Sequence, residues 1–441
     1  MSVASSNAPL PVAGASESTS RRLLRQTEID PRMLGMIAAL LLIWVGFDIY
    51  GGMVNGFAAF LTPRNLFNIF VQTASVAVMA TGMVMVIVTR QIDLSVGSIL
   101  GFTGMVVGVT QVYWLPHIFG NDSPMIWIAA VVLAIAFGAL IGGFQGWIIA
   151  YLGVPSFIVT LGGQLVWRGA AWWVARGETI APLDDRFSLI GGGSAGSIGF
   201  WASWGLCLVG IIAVIAAIIA GRGRRQRFGF PLRPVWAEVF VACLGAAALV
   251  WLTWIFNAYH WPPMIAKHYA ETHNIPVPPG GLKIPYGYAI PVLIAFATGI
   301  GMTFLASRTR FGRYVYAIGG NPEAATLAGV NTKRIVTLVF ALMGALAGIS
   351  ACIDSARLDS ATNALGQFDE LYVIAAAVIG GTSLAGGVGS IYGAMLGALV
   401  MQSLQSGMVL IGVDSAVQQM VVGLVLVAAV YLDTLYRQKV K

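Results

Sequence analysis

Apolar runs of roughly 20 residues recur along nearly the whole 441-residue chain, and roughly 20 residues is the length of helix that crosses a hydrocarbon core about 30 Å thick. Inside such a core each backbone N–H and C=O must be paired within the protein, so runs of this length must close on themselves as helices. Only 10% of residues are charged and 58% are hydrophobic, against about a quarter charged in a soluble domain. The predicted fold is all-α, a polytopic transmembrane bundle of ten to twelve spans.

The runs, bounded by loop residues, place spans near 33–52, 66–88, 94–113, 125–151, 154–175 and 198–221. A second series follows at 235–258, 287–306, 335–353, 371–385, 390–411 and 416–433. Basic residues test the arrangement, because Lys and Arg gather on cytoplasmic loops. With the N-terminus inside, 18 of the 25 fall on cytoplasmic segments and six on outer loops, and Arg168 lies within a span. An even number of spans with both ends inside follows, although losing one hairpin would preserve that parity. Residues 1–32, rich at first in Ser, Ala and Pro and then in Arg, read as a disordered cytoplasmic tail rather than a secretory signal. Residues 33–433 form the membrane domain and 434–441 a second cytoplasmic tail.

Residues 198–286 resemble an inserted hairpin: two spans, the basic loop "GRGRRQRFGFPLRP" and a Pro-rich outer loop. The basic loop suits an anionic lipid surface rather than nucleic acid. His260, His268 and His273 share the outer loop without a zinc-ligand spacing, and Cys207, Cys243 and Cys352 lie in apolar runs, where they act as small hydrophobes. Faint internal similarity links residues 88–101 to 378–393 and residues 138–156 to 397–415. Internal repeats with discontinuous helices are a transporter plan, and shared Gly-rich packing is the competing reading.

The segment "RTRFGRYVYAIGGNPEAATLAGVNTKRI", residues 308–335, is too polar to span. Asn321 suits an N-cap, Pro322 the first helical position, Glu323 the positive end of the helix dipole and Gly329 the C-terminal cap. These signals predict a two-turn helix over 322–328. So short a helix needs packing to persist, either against a partner protein or simply between two spans.

"EAATLAG" fits the Glu-Ala-Ala-x-x-x-Gly pattern of permease subunits in bacterial ATP-binding-cassette importers. "RFGRYVYAIGGNPEAATLAGV", "AAAVIGGTSLAGGVGSIYGAMLGAL" and "QIDLSVGS" resemble the ribose and xylose branch of that superfamily, in order, over about residues 60–433. The chain length and inserted hairpin look more like the xylose type. The resemblance implies a homodimeric permease in the bacterial inner membrane, a separate ATPase subunit and a periplasmic sugar-binding protein. It implies a pentose or hexose substrate, xylose first. Carried over residue by residue, it assigns ATPase docking to Asn321, Pro322, Glu323, Ala324, Ala325 and Gly329. Arg90 and Gln91 depart from the small residues expected just ahead of Ile92-Asp93-Leu94-Ser95.

"GGTSLAGGVG", residues 380–389, lacks the Lys that a Walker A loop requires, so nucleotide and other cofactors are not expected on this chain. No enzyme constellation of recognisable spacing is present. Within the spans, Asp93, Ser95, Gln145, Gln164, Gln402 and Gln405 could line a translocation path or join helices by hydrogen bonds; Asp354 lies near a boundary. Trp172 and Trp173 suit either a sugar face or an interfacial belt. For Asp93, capping a helix that starts at Leu94 or Ser95 is one reading, and direct handling of sugar or protons the other. The rival function is a secondary, ion-coupled transporter that uses this carboxylate.

Overall fold

A computed structural model describes residues 27–438 apart from positions 29, 57 and 122. Most of the expected N-terminal tail, with Arg21, Arg22 and Arg25, and the last three residues lie outside the described set. Seventeen α-helices are named in chain order. The first six are α1 (Pro31–Asn55), α2 (Pro63–Val88), α3 (Val96–Val109), α4 (Leu115–Phe119), α5 (Met125–Tyr151) and α6 (Ser156–Ala175). The short α7 (Asp185–Ser188) leads to α8 (Gly199–Arg227), α9 (Val235–Ala258), α10 (Pro263–Thr272) and α11 (Ile290–Arg308). The rest are α12 (Arg310–Gly320), α13 (Pro322–Leu327), α14 (Thr332–Leu358), α15 (Asp369–Ile379), α16 (Ile391–Leu410) and α17 (Ser415–Gln438). A π-helical turn, Thr110–Trp114, joins α3 to α4 in one crossing. Extended pairing among the described residues is limited to three isolated bridges.

Starts of the helices follow their capping chemistry. Asp30 accepts from the Arg32 N–H ahead of Pro31, and Thr62 accepts from the Asn65 N–H ahead of Pro63, so a side chain satisfies an orphan donor where proline already lacks one. Among the described residues, nine helices are long and apolar enough to cross a membrane. The span expected at 371–385 is different: α15 has only 11 residues, about 16 Å at 1.5 Å per residue, too short for the core. It ends at Gly380, and Gly381, with φ +87°, turns the chain into an irregular loop.

α2 is the central element, buried at every position from Thr73 to Val88 and packed against α9, α11, α14, α15 and α16. α5 and α14 lie backbone to backbone. A methyl group on Gly138 would run into the Gly344 carbonyl, one on Gly344 into the Gly138 carbonyl, and one on Gly142 into the carbonyl of Phe340. Small residues at four-residue spacing permit this approach where no hydrophobic force drives helices together.

By contrast, α8 buries only Ser203 and Cys207, and α9 only Ala237 and the stretch near Leu252–Asn257. The two helices pack mainly on each other, as a hairpin beside the bundle. Its neck is closed by main-chain bonds, with the Ile198 and Gly199 N–H groups donating to the Tyr288 and Tyr286 carbonyls at 3.0 Å.

Candidate functional site

Irregular backbone enters the bundle at two places. After α2 the chain is irregular through Gln91–Leu94 before α3 starts at Val96, and after α14 it is irregular before α15 starts at Asp369. The N-terminal turns of α3 and the short α15 abut. A methyl on Gly97 would strike the Gly366 carbonyl and the Glu370 carboxylate, and one on Gly366 the Gly97 carbonyl. Arg168, from α6, donates to the carbonyls of Asn363 at 3.0 Å, Leu365 at 2.7 Å and Gly366 at 3.0 Å. It thereby pairs three carbonyls of the unwound backbone ahead of α15, as backbone inside a bundle requires.

Four of the sequence-derived polar residues meet at this seam. Asp93 is fully buried, and its Oδ1 accepts from the Ser95 N–H at 2.9 Å and lies 2.6 Å from Ser95 Oγ. That hydroxyl is also 2.9 Å from Gln145 Oε1, and its single proton serves one of the two at a time. Asp93 therefore stands two residues outside the helix, holding the N–H of Ser95, itself the N-cap without a capping side-chain bond. Gln164 Nε2 donates to Glu370 Oε1 at 2.8 Å, and Gly163 lets the Gln145 amide press against the same helix. Among the described residues, Asp93 Oδ2, Glu370 Oε2 and Gln145 Nε2 are buried without a hydrogen-bond partner.

Gln402 lies apart from that seam, with its Nε2 donating to Gln72 Oε1 at 2.9 Å. Gln405 is half-buried on the same helix. Asp369 and Glu370 are absent from the sequence-derived set because they flank an apolar run read as a full span. Asn68, Gln72 and Ser75 are absent too, although polar residues at that spacing on an apolar helix share one face.

At one end of the bundle the 308–335 segment folds as two helices. α12 is amphipathic and buries Gly312, Val315, Ile318 and Gly319. α13 begins at Pro322, with Asn321 Oδ1 accepting from the Ala324 N–H at 3.0 Å, and it ends before Gly329, whose φ is +82°. Asn321, Glu323, Ala324 and Gly329 are exposed, Pro322 is half-buried, and Ala325 is buried against its own chain. Leu327, outside the motif residues, is 89% exposed, an apolar side chain standing free beside Glu323. Arg90, itself at φ +63°, donates through Nε to the Gly319 carbonyl at 2.8 Å and through Nη2 to that of Gly320 at 2.7 Å. The Gly387 N–H donates to Val88 O at 3.0 Å, and Tyr316 Oη to Gly389 O at 2.9 Å. The end of α2, the end of α12 and the glycine loop 380–390 thus form one hydrogen-bonded junction.

Irregular backbone and a helix too short to cross, set inside an apolar bundle with polar groups gathered beside them, are a construction of membrane transporters. The molecule is a multi-pass membrane permease. Residues 65–430 match the family described as the branched-chain amino acid transport system / permease component, and the chain belongs to that family. It is 38% identical over 405 residues to the xylose transport system permease protein XylH of Escherichia coli (strain K12), covering 92% of each chain. It is 36% identical to the protein of that name from Haemophilus influenzae, over 86% of this chain and 92% of the relative. The ribose import permease protein RbsC of Escherichia coli (strain K12) is 32% identical over 85% of this chain and 87% of its own. No solved structure matches the chain.

Proposed function

We propose that this chain is the membrane-spanning subunit of an ATP-binding-cassette importer that moves a monosaccharide, D-xylose first, from periplasm to cytoplasm by alternating access. The observation that carries the reading is α13, a capped two-turn helix that exposes Glu323, Ala324 and Leu327 at one end of a permease bundle. A carrier driven by an ion gradient has no use for such a projection. A separate ATPase subunit does: α13 is already held to its own chain by Asn321 and Ala325, which leaves Glu323, Ala324 and Leu327 exposed for a partner. ATP hydrolysis belongs to that partner.

In this reading the α13 end faces the cytoplasm of a bacterial inner membrane, with both termini on that side. The tie from Glu28 to Arg225 and Arg233 supports placing the N-terminal segment and the basic loop of the hairpin together there. The opposite end receives sugar from a periplasmic binding protein, and the permease works as a homodimer. Similarity over nearly full length to permeases named for xylose and ribose supports the sugar class.

The test is replacement of Glu323 and Gly329, with measurement of ATPase co-purification and of xylose uptake into reconstituted vesicles. Both are expected to fall together. Uptake that persists without any ATPase or ATP would overturn the reading.

A further inference from the structure

A cavity of about 240 Å³ opens at the end of the bundle opposite α13. Its walls come from the first turns of α2, the loop Gly191–Gly193, the last turn of α14 and two tyrosines of the hairpin neck. Tyr259 and Tyr286 stack with centroids 4.7 Å apart, and Phe67 packs on Tyr286 at 4.9 Å. Burial pushes the Tyr286 hydroxyl up to about 12, so it stays a neutral donor and acceptor. Asn68 and Arg357 stand exposed at the mouth, and half-buried Gln72 lies within.

Two polar stripes run inward from this cavity on facing helices. On α2 they are Asn68, Gln72 and Ser75; on α14, Arg357, Asp354 and Ser350. Both spacings keep one helical face. The stripes are joined to each other, with Ser75 Oγ donating to Asp354 Oδ2 at 2.6 Å and Ser350 Oγ donating to the Ser75 carbonyl at 3.0 Å. Arg357 Nε lies 3.8 Å from Asp354 Oδ1, so the charges on this track offset each other. The track reaches about 10 Å inward from Asn68. Beyond it the buried side chains of Met79, Met83, Met343 and Leu346 close the way.

We infer that this cavity is a substrate station within the permease itself, built for one neutral monosaccharide on its way from the binding protein. The inference rests on the importer reading above. Amides, tyrosine hydroxyls and a guanidinium supply both donors and acceptors for sugar hydroxyls, and an aromatic wall supplies an apolar face for the C–H side of the ring. Offset charge gives no advantage to an ion. The permease, as well as the binding protein, then discriminates among sugars.

The experiment is ATP-driven uptake of radiolabelled D-xylose by the complete complex in proteoliposomes, alongside ATPase stimulation by the xylose-loaded binding protein. Gln72→Leu is expected to lower uptake about tenfold, the worth of one lost hydrogen bond in a desolvated site, with ATPase stimulation retained. Gln402→Leu breaks the same Gln402–Gln72 bond from outside the cavity and is expected to lower uptake by less than Gln72→Leu. Unchanged uptake by Gln72→Leu, or an equal loss in Gln402→Leu, would overturn the station while the importer reading stands. A wild-type complex inert toward xylose, ribose and galactose alike would overturn the importer reading and the station with it.

Discussion

Arg90 and Gly319 lie in different halves of the sequence, yet the guanidinium Nε of one sits 2.8 Å from the carbonyl oxygen of the other. A second bond, to Gly320, places both contacts immediately ahead of Asn321, the residue that starts α13. Whatever displaces α13 pulls on these carbonyls, and through Arg90 on the break between α2 and α3. Arg90→Ala is expected to leave ATPase docking intact while reducing sugar moved per ATP hydrolysed. Arg90→Lys, with a single point-charge donor in place of a planar fork, falls between. Each lost bond from a charged donor costs about 2 kcal/mol. The ratio of xylose uptake to phosphate release in vesicles is the measurement, and a wild-type ratio in Arg90→Ala would disprove the link.

Leu327 gives a sharper handle on docking than the motif residues. It is 89% exposed, so Leu327→Asp removes no internal packing and is expected to leave expression and melting temperature unchanged. Co-purification of the ATPase should drop by an order of magnitude or more, the scale of a buried interface anchor. Equal recovery of ATPase would show that this side chain faces away from the partner.

Asp93 answers to two substitutions. Asparagine keeps an acceptor for the Ser95 N–H, so Asp93→Asn should fold and sort normally. Leucine leaves that buried N–H unsatisfied, at a cost of about 1–3 kcal/mol, visible as a lowered melting temperature in detergent. Normal transport by Asp93→Asn assigns the residue to architecture; folded protein with abolished uptake assigns it to translocation.

Glu28 provides the pH dependence. Its bonds to Arg225 and Arg233 hold its carboxyl at about 2, below the usual 4.5. A depressed folded value means the tie is fully present above pH 4.5 and is lost as pH falls toward 2. Carbon-13 resonances of labelled Glu28 should therefore titrate near 2 in the wild type and move up toward 4.5 when both arginines become alanine. A midpoint near 4.5 in the wild type would refute the tie.

Legibility in the sequence followed the range of the interaction. The apolar runs of α5 and α9 start and stop where hydropathy says, at Met125–Tyr151 and Val235–Ala258, because burial in hydrocarbon is a local requirement. Likewise Asn321, Pro322 and Gly329 declare α13 through capping chemistry written within a few residues. The run at 371–385 misled because alanine and glycine count as apolar while saying nothing of the turn at Gly381. That error hid Asp369 and Glu370 at what looked like a boundary. Arg90 was visible only as an odd residue, since its partners at Gly319 and Gly320 are distant in sequence and no local pattern encodes them. Asn68, Gln72 and Ser75 went unread although their spacing alone puts them on one helical face, and their facing stripe on α14 needed the fold.

The neck of the α8–α9 hairpin carries a different implication. Ser197 and Ala289 are bridged, so the two ends of the hairpin segment meet at one point. A segment bounded this way can be exchanged for another without rethreading its neighbours, and it takes Tyr259 and Tyr286, one wall of the cavity, with it. Sugar preference in such permeases could then be traded as a cassette, in one recombination event, rather than accumulated residue by residue.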